Sequence, residues 1–356
     1  MLMRRRLLYR NLFRNTSTDA LSLVFCRKKG YNMIEMNSAK ATYGERICMG
    51  YIAGIGAANV DIRGRSDTKL IMGDSNPGTL YTTLGGVCRN ICENLARLGS
   101  NVKLVTVVGD DENGRSILRG CEAAGIDVSH TRVLEGERSS SYMSILDEKG
   151  DKVLAMSDVH IVKRLDEDFV EDARVVLSNA DIVVCDGNLS KETIARLTEV
   201  CLAPLYLDPV SSTWAKEIAP YIGYFDTVKP NRMELAALTG VKTDTIAGVM
   251  HACDVLIRKG VRRVFVSLGR EGMIYRGRRE GTVHRIARPF PDVVDVTSAG
   301  EAAMAGIVWG SRQGMTADEI VCTAMAAGMI AISSPETISA DMSAEKIEEI
   351  IRDYIA

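Results

Sequence analysis

The segment Asp295-Val296-Thr297-Ser298-Ala299-Gly300-Glu301-Ala302-Ala303-Met304-Ala305-Gly306 puts small residues in front of an apolar helical pattern. The first N–H groups of a helix have no partner within it, and with the helix dipole they attract an anion. A carboxylate there, close to a substrate hydroxyl, could take the hydroxyl proton during phosphoryl transfer. Ser298, Ala299, Gly300 and Glu301 are therefore the candidate catalytic group. An acidic residue in a first helical turn also simply complements the dipole, and that plainer reading stays open at this point.

Further segments could serve the same chemistry. Lys229-Pro230-Asn231-Arg232-x-Glu234 follows a predicted strand and opens a helix, with Asn231 and Glu234 about one turn apart. Such a pair can hold a hydrated Mg²⁺ near phosphates. Ser267-x-Gly269-x-x-Gly272 follows another strand and could pass beneath a nucleotide. Gly85-Gly86-Val87-Cys88-Arg89-Asn90 exposes N–H groups at a strand-to-helix turn and places Asn90 one turn into the helix, although Gly-Gly is often just a turn. Gly54-x-Gly56-x-x-Asn59 imitates a dinucleotide fingerprint but is rejected as one. Its third glycine is Asn59, and Val60-Asp61-Ile62-Arg63-Gly64 does not start a helix. Asn59 and Asp61 can instead offer a donor and a carboxylate to hydroxyls, or be an ordinary strand end.

The elements that must position these residues alternate. Ile47 to Ile62 reads as one buried strand and Val102–Val108 as another. Further strands are predicted at 181–186, 204–208, 225–228 and 263–267. Helices are predicted from the Gly-Gly turn to Gly99 and at about 113–124, 190–201, 231–239, 246–259, 300–312, 316–332 and 343–355. Short apolar strands between amphipathic helices predict an α/β fold with a mainly parallel sheet covered on both faces. Two β-leaning segments, about 63–84 and 138–158, read as a small lid, the second as a hairpin turning at Glu148-Lys149-Gly150-Asp151.

The 356 residues are 46% hydrophobic and 25% charged, which excludes wholesale disorder. A net charge of −2 leaves no footprint for nucleic acid, yet it is the sum of unlike parts. Residues 1–46 hold ten basic and three acidic residues, and the rest hold 34 basic and 43 acidic. The leader reads as an extension from a misplaced start, with Met33, Met36 and Met49 as alternatives, or, over residues 1–30, as an organelle transit peptide. No apolar run approaches the ~18 residues that span a bilayer. Nine scattered cysteines without Cys-x-x-Cys are expected as buried free thiols in a reducing cytoplasm, and four scattered histidines give no metal pattern.

These motifs, in this order over residues 47–356, resemble the ribokinase-like (PfkB) family of sugar and nucleoside kinases. Gly85-Gly86…Asn90 resembles its first signature and residues 295–306 its second. Asp74-Ser75-Asn76-Pro77-Gly78, Gly86-Val87-x-Arg89-Asn90-Ile91, Ser140-Ser141-Tyr142, Asp186-x-Asn188 and Asp208-Pro209-Val210-Ser211 look like its pseudouridine kinase branch. The resemblance implies a ribokinase-like three-layer fold and ATP-dependent phosphorylation of a nucleoside ribose 5′-hydroxyl. It places Asn59, Asp61, Asp74, Ser75, Asn76, Gly85, Gly86 and Asn90 at the substrate, and Asn231, Glu234, Ser267, Gly269 and Gly272 at the nucleotide. It places Mg²⁺ at Glu234 through water, K⁺ at Asp295 and Thr297, and a homodimer contact on the lid.

Two positions depart from the second signature, usually Asp-x-Thr-Gly-Ala-Gly-Asp. Ser298 stands for Gly and Glu301 for the catalytic Asp. Glu keeps the carboxylate but adds a methylene, and a shift of ~1 Å in a reacting group can cost on the order of 10²-fold. Ser298 would be strained if the loop required a glycine-only conformation. An alternative is therefore an impaired nucleoside-binding protein of the same fold, or a kinase for another sugar or nucleoside.

Overall fold

The computed structural model describes residues 50–355. The expectations for residues 1–46, and for Cys26 and Cys48, lie outside the described residues. In chain order the strands are β1 Ile52–Ile55, β2 Asn59–Ser66, β3 Gly78–Gly85, β4 Val102–Val105, β5 Val107–Gly109, β6 Ile126–Asp127, β7 Arg132–Leu134, β8 Ser141–Leu146, β9 Lys152–Asp158, β10 Ile182–Asp186, β11 Leu205–Asp208, β12 Thr227–Val228, β13 Arg263–Ser267, β14 Met273–Gly277 and β15 Gly281–Arg285. The helices are α1 Val87–Arg97, α2 Glu112–Ala123, α3 Glu167–Asp172, α4 Arg174–Ser178, α5 Lys191–Val200, α6 Ser212–Ile218, α7 Arg232–Thr239, α8 Ile246–Lys259, α9 Ala299–Arg312, α10 Ala317–Ile332 and α11 Ala344–Ile350.

Nine strands form the central sheet in the order β15-β14-β13-β12-β11-β10-β1-β4-β6. It is parallel from β6 to β13, and β14 and β15 add an antiparallel edge. Its strands are apolar on both faces because both are covered. Ile52, Leu104, Val184, Tyr206 and Phe265 join one core with α1, α9 and α10. Ala53, Val105, Val183, Leu205 and Val264, one residue along, join the other with α5, α7 and α8. This is the expected α/β architecture. Among the described residues no helix is long and apolar enough to cross a membrane, and the seven cysteines are free and buried.

The structure corrects two strand predictions in one place. Of the predicted strand from Ile47 to Ile62, residues 47–49 lie outside the described residues and the rest holds β1 and the start of β2, in different sheets; Val102–Val108 holds β4 and the start of β5, also in different sheets. Ile55 and Val105 are register partners on neighbouring strands, so both breaks fall on one row. There the Thr106 hydroxyl donates to the Gly56 carbonyl (2.6 Å), satisfying a backbone acceptor that the ladder has released. The predicted helix 343–355 ends as a regular helix at Ile350 and continues as a π turn over Ile351–Ile355.

After the break, β2 pairs antiparallel with β3 and parallel with β8, and β8 pairs antiparallel with β9, giving a four-stranded sheet in the order β3-β2-β8-β9. Residues alternate between its faces. Ile62, Leu80, Met143, Ile145, Leu154 and Met156 share one face; Asp61, Arg63, Tyr81, Thr83, Tyr142 and Ser144 share the other.

Helix α1 crosses close over β1 because Gly54 lacks a side chain. A Cβ there would lie 2.3 Å from the Cys92 sulfur. Gly54→Ala is expected to cost about 1–3 kcal/mol by overpacking and to lower the melting temperature by several degrees. Thermal unfolding of the variant checks this.

Candidate functional site

The ends of β1, β10, β11 and β12 meet the first turns of α1 and α9 at the carboxyl edge of the parallel sheet, where open α/β sheets bind ligands. Glu301 lies in the first turn of α9, partly buried, and its carboxylate interacts with the Asn90 side chain. Asn90 is itself held. Its Oδ1 accepts from Arg89, a guanidinium only 1% exposed that also donates to the Leu84 and Gly85 carbonyls and to Glu93. The row Glu93–Arg89–Asn90–Glu301 thus aims the carboxylate from the far side of α1. Arg89 is a part of it that sequence reasoning missed, because an arginine on an otherwise apolar helix face reads as solvated.

Ser298, the N-cap of α9, makes no side-chain capping bond, and the first intrahelical bond runs from the Ala302 N–H to the Ser298 carbonyl. The first-turn N–H groups of Ala299 and Gly300 therefore have no partner inside the helix. Ser298 has φ −94°, an ordinary conformation for any residue. The strain expected from replacing glycine there does not exist.

Burial, then repulsion from Asp208, pushes the Glu301 carboxyl up to about 7, against the attraction of Lys229 and the Asn90 side chain. Asp208 and Lys229 form a buried ion pair (3.2 Å, both at most 5% exposed) just past β11 and β12. Burial alone would lower the Lys229 ammonium, but Asp208, Glu234 and Glu301 outweigh it and raise it. Three carboxylates thus share one lysine, and this negative excess suits a divalent cation.

The Asp208 carboxylate is set by an unusual turn. It accepts the Val210 N–H (3.0 Å), and the Ser211 N–H closes a three-residue turn on the Pro209 carbonyl (2.7 Å). Val210, at its centre, has φ +68°. This γ-turn of the rare, positive-φ kind costs a β-branched residue on the order of 1–3 kcal/mol. Gly187 makes room for it, since a Cβ there would lie 2.4 Å from the Pro209 carbonyl oxygen.

Asp186 is fully buried and accepts from the Ala57, Cys88 and Asn188 N–H groups, each at 3.0 Å. Burial lifts its carboxyl to about 6, although those bonds pull the other way. Gly56 is glycine because a Cβ there would meet that carboxylate at 2.7 Å.

The structure brings Asn59, Asp61, Gly85 and Gly86 together where β2 starts and β3 ends. Asn59 pairs in register with Gly85, and its amide donates to Asp61. A Cβ on Gly85 would lie 2.5 Å from the Asp61 carboxylate, and one on Gly86 (φ +96°) would lie 2.5 Å from the Ala57 carbonyl. Burial raises the Asp61 carboxyl. Thr83, opposite Asp61 in register, has a buried hydroxyl without a hydrogen-bond partner, a group sequence reasoning missed. Asp74, Ser75 and Asn76 sit elsewhere, in the exposed β2–β3 connection. There Asn76 bonds the Ile71 N–H and carbonyl, and Asp74 bonds the Ser75 N–H.

Asn231 and Glu234 form a capping box at the start of α7: Oδ1 accepts the Glu234 N–H, and the carboxylate accepts the Asn231 N–H and side-chain amide, all at 2.9 Å. Each Glu234 oxygen thereby keeps acceptor capacity, which fits a metal held through water. Among the described residues no group of three or more His, Cys, Asp or Glu could cage a metal directly. Ser267 donates its N–H to the Pro230 carbonyl beside that box. Gly269 takes φ +60°, and Gly272 is a packing glycine, since a Cβ there would meet the Arg285 carbonyl at 1.9 Å.

Asp295 accepts from the Thr297 N–H (2.9 Å) and hydroxyl (2.5 Å) on one oxygen and pairs with Arg63 of β2 (3.2 Å) on the other. A K⁺ ion on that carboxylate would face a guanidinium. These residues do not fit the K⁺ site that the resemblance implied.

The model of the pfkB family carbohydrate kinases matches residues 49–344. This chain belongs to that family. A pseudouridine kinase of Escherichia coli is 32% identical over 302 residues, covering 85% of this chain and 96% of the relative. A guanosine-inosine kinase of Exiguobacterium acetylicum is 27% identical over 304 residues, 81% of this chain and 96% of the relative. The solved structure of a carbohydrate kinase from Agrobacterium tumefaciens superposes with a TM-score of 0.75 at 27% identity, over 85% of this chain and 97% of that one. An Arabidopsis thaliana ribokinase complexed with ribose and ATP shares the fold, with a TM-score of 0.73 at 20% identity over 85% and 99%. The family member described here is a phosphotransferase acting on a sugar or nucleoside hydroxyl.

The raised Glu301 carboxyl has a cost that depends on pH. A carboxyl whose folded value lies above its unfolded one binds protons more readily when folded, so stability falls as pH rises from about 4.5 to about 7 and is flat above. Glu301→Gln is expected to remove that fall and to exceed wild type at pH 8 by on the order of 2–3 kcal/mol. Urea unfolding at pH 5 and pH 8 measures it.

Proposed function

We propose that this kinase transfers the γ-phosphoryl group of ATP to the ribose 5′-hydroxyl of pseudouridine. The observation that carries the reading is the Asn90–Glu301 contact, which joins a residue expected at the ribose to a carboxylate in the turn that holds the unpartnered Ala299 and Gly300 N–H groups. Glu301 takes the hydroxyl proton, and a carboxyl near 7 is matched to that task at neutral pH. The Ala299 and Gly300 N–H groups face the charge that develops on the transferred phosphoryl. Asn59, Asp61, Gly86 and Asn90 hold the ribose, with the Thr83 hydroxyl beside them. Asn231 and Glu234 would order Mg²⁺ through water near the strand of Ser267 and Gly269. Mg²⁺, when bound, neutralises phosphate charge. Pseudouridine as the acceptor is supported by the 32% identical relative and by the Asp186-x-Asn188 and Asp208-Pro209-Val210 segments.

The assay is ADP release with pseudouridine, uridine, guanosine, adenosine and ribose. Pseudouridine is expected to give the highest kcat/KM, rising with pH to a plateau above about 7. Glu301→Ala is expected to abolish turnover. Glu301→Asp, which draws the carboxylate away from Asn90, is expected to lower kcat on the order of 10–100-fold. Equal kcat/KM for all five acceptors would overturn the substrate assignment.

The four-stranded sheet is inferred to act as the lid, with its polar face on the substrate and its apolar face against a second copy. Leu80, Leu154 and Met156 are 74%, 57% and 70% exposed on that apolar face. Gly64 at its centre lets Leu80 and Ile145 approach, since a Cβ there would lie 3.1 and 3.3 Å from them. A contiguous exposed apolar face of this kind marks an interaction site. Sedimentation is expected to show a dimer that Leu80→Glu with Met156→Glu converts to a monomer.

A further inference from the structure

Lys229 lies 3% exposed just past β12. Its ammonium carries three donors, and among the described residues Asp208 is its one hydrogen-bond partner. The nitrogen lies 3.5 Å from the place a Cβ on Gly300 would take, under the first turn of α9. Two unspent donors on a buried cation are an incomplete arrangement, and an anion entering that turn completes it. Lys229 is also not free to swing aside. Its partner carboxylate is fixed on its other oxygen by the Val210 N–H, in the γ-turn that Val210 closes at φ +68°. Strain of this kind persists where the surroundings over-determine it, and it gathers at functional sites.

We propose that Lys229 is a catalytic residue of this kinase: its ammonium, anchored to Asp208 by the Val210 turn, contacts the oxygens of the phosphoryl group in flight. The inference rests on the kinase reading above. In the step, the bond from the γ-phosphorus to the bridging oxygen breaks and the bond to the substrate hydroxyl oxygen forms. The hydroxyl proton goes to Glu301, and Lys229 keeps its own proton. Asp208 is then a positioning residue.

The test uses the full chain with ATP and pseudouridine. Lys229→Met is expected to lower kcat on the order of 10²–10³-fold, to leave the nucleoside KM within about threefold, and to shrink the melting shift produced by ATP alone. The double variant Asp208→Asn/Lys229→Met removes the pair together, avoids a lone buried charge, and is expected to show the same kcat loss while remaining folded. Val210→Gly is expected to melt higher yet turn over about tenfold slower, because relief of the turn frees the carboxylate. A merely structural turn would not slow the reaction. Wild-type kcat in the folded double variant, with an unchanged ATP-induced shift, would overturn the proposal. If wild type turns over none of the nucleosides, the substrate reading fails, and the ATP-induced shift of wild type against the double variant still decides the role of Lys229.

Discussion

The Asp186 carboxylate gathers three backbone segments at one point. The N–H groups of Ala57, Cys88 and Asn188 belong to the exit of the central strand, the first turn of α1 and the loop after β10. Each of those groups would otherwise be a buried donor without a partner, which costs more than a made hydrogen bond gains. One acceptor resolves all three. The start of α1 then fixes Asn90, and the exit of β1 fixes where β2, with Asn59 and Asp61, can begin. Gly56 is the steric counterpart, because only a residue without a side chain leaves the carboxylate its place.

The site concentrates buried charge that does not balance. Asp186, Asp208, Glu234 and Glu301 lie at or near the sheet edge, and burial raises the carboxyl of Asp186, Glu234 and Glu301. A chain selected only for stability would not keep this arrangement, because buried unpaired charge is expensive. The surplus is understandable if positively charged or hydrogen-bond-donating groups on the ligands complete it in the working state. The same reasoning covers the positive-φ valine: the cost is local, and the gain is a carboxylate that cannot drift.

Much of this was legible in the chain. The α/β class, the limits of α8 and β13, and the β8–β9 hairpin follow from periodicity and turn chemistry. Asn231 with Glu234 announced a helix start at one-turn spacing, and the capping box is what that spacing makes first. The unreadable parts are those where tertiary contacts decide. Nothing local in Ile47–Ile62 or Val102–Val108 says that both runs leave their sheet on one row, since the Thr106–Gly56 bond forms only when the two strands are neighbours. Arg89 reads as a surface cation until its carbonyl partners arrive from the end of β3. Ser298 looked strained because a family pattern puts glycine there, and its own φ shows otherwise. Asp74 to Asn76 looked like ligand groups and are occupied in holding their own turn.

The excursion through β2 and β3 leaves and rejoins the core at nearly one point. The Arg89 N–H donates to the Ala57 carbonyl at 3.3 Å, and the same carbonyl blocks any side chain on Gly86. A segment whose two ends meet is geometrically a module: its length can change without moving either anchor, because loop closure depends only weakly on length. Lineages of this fold can therefore lengthen, shorten or exchange the connection between β2 and β3 without moving either anchor. The Glu301 carboxylate and the sheet beneath it stay untouched.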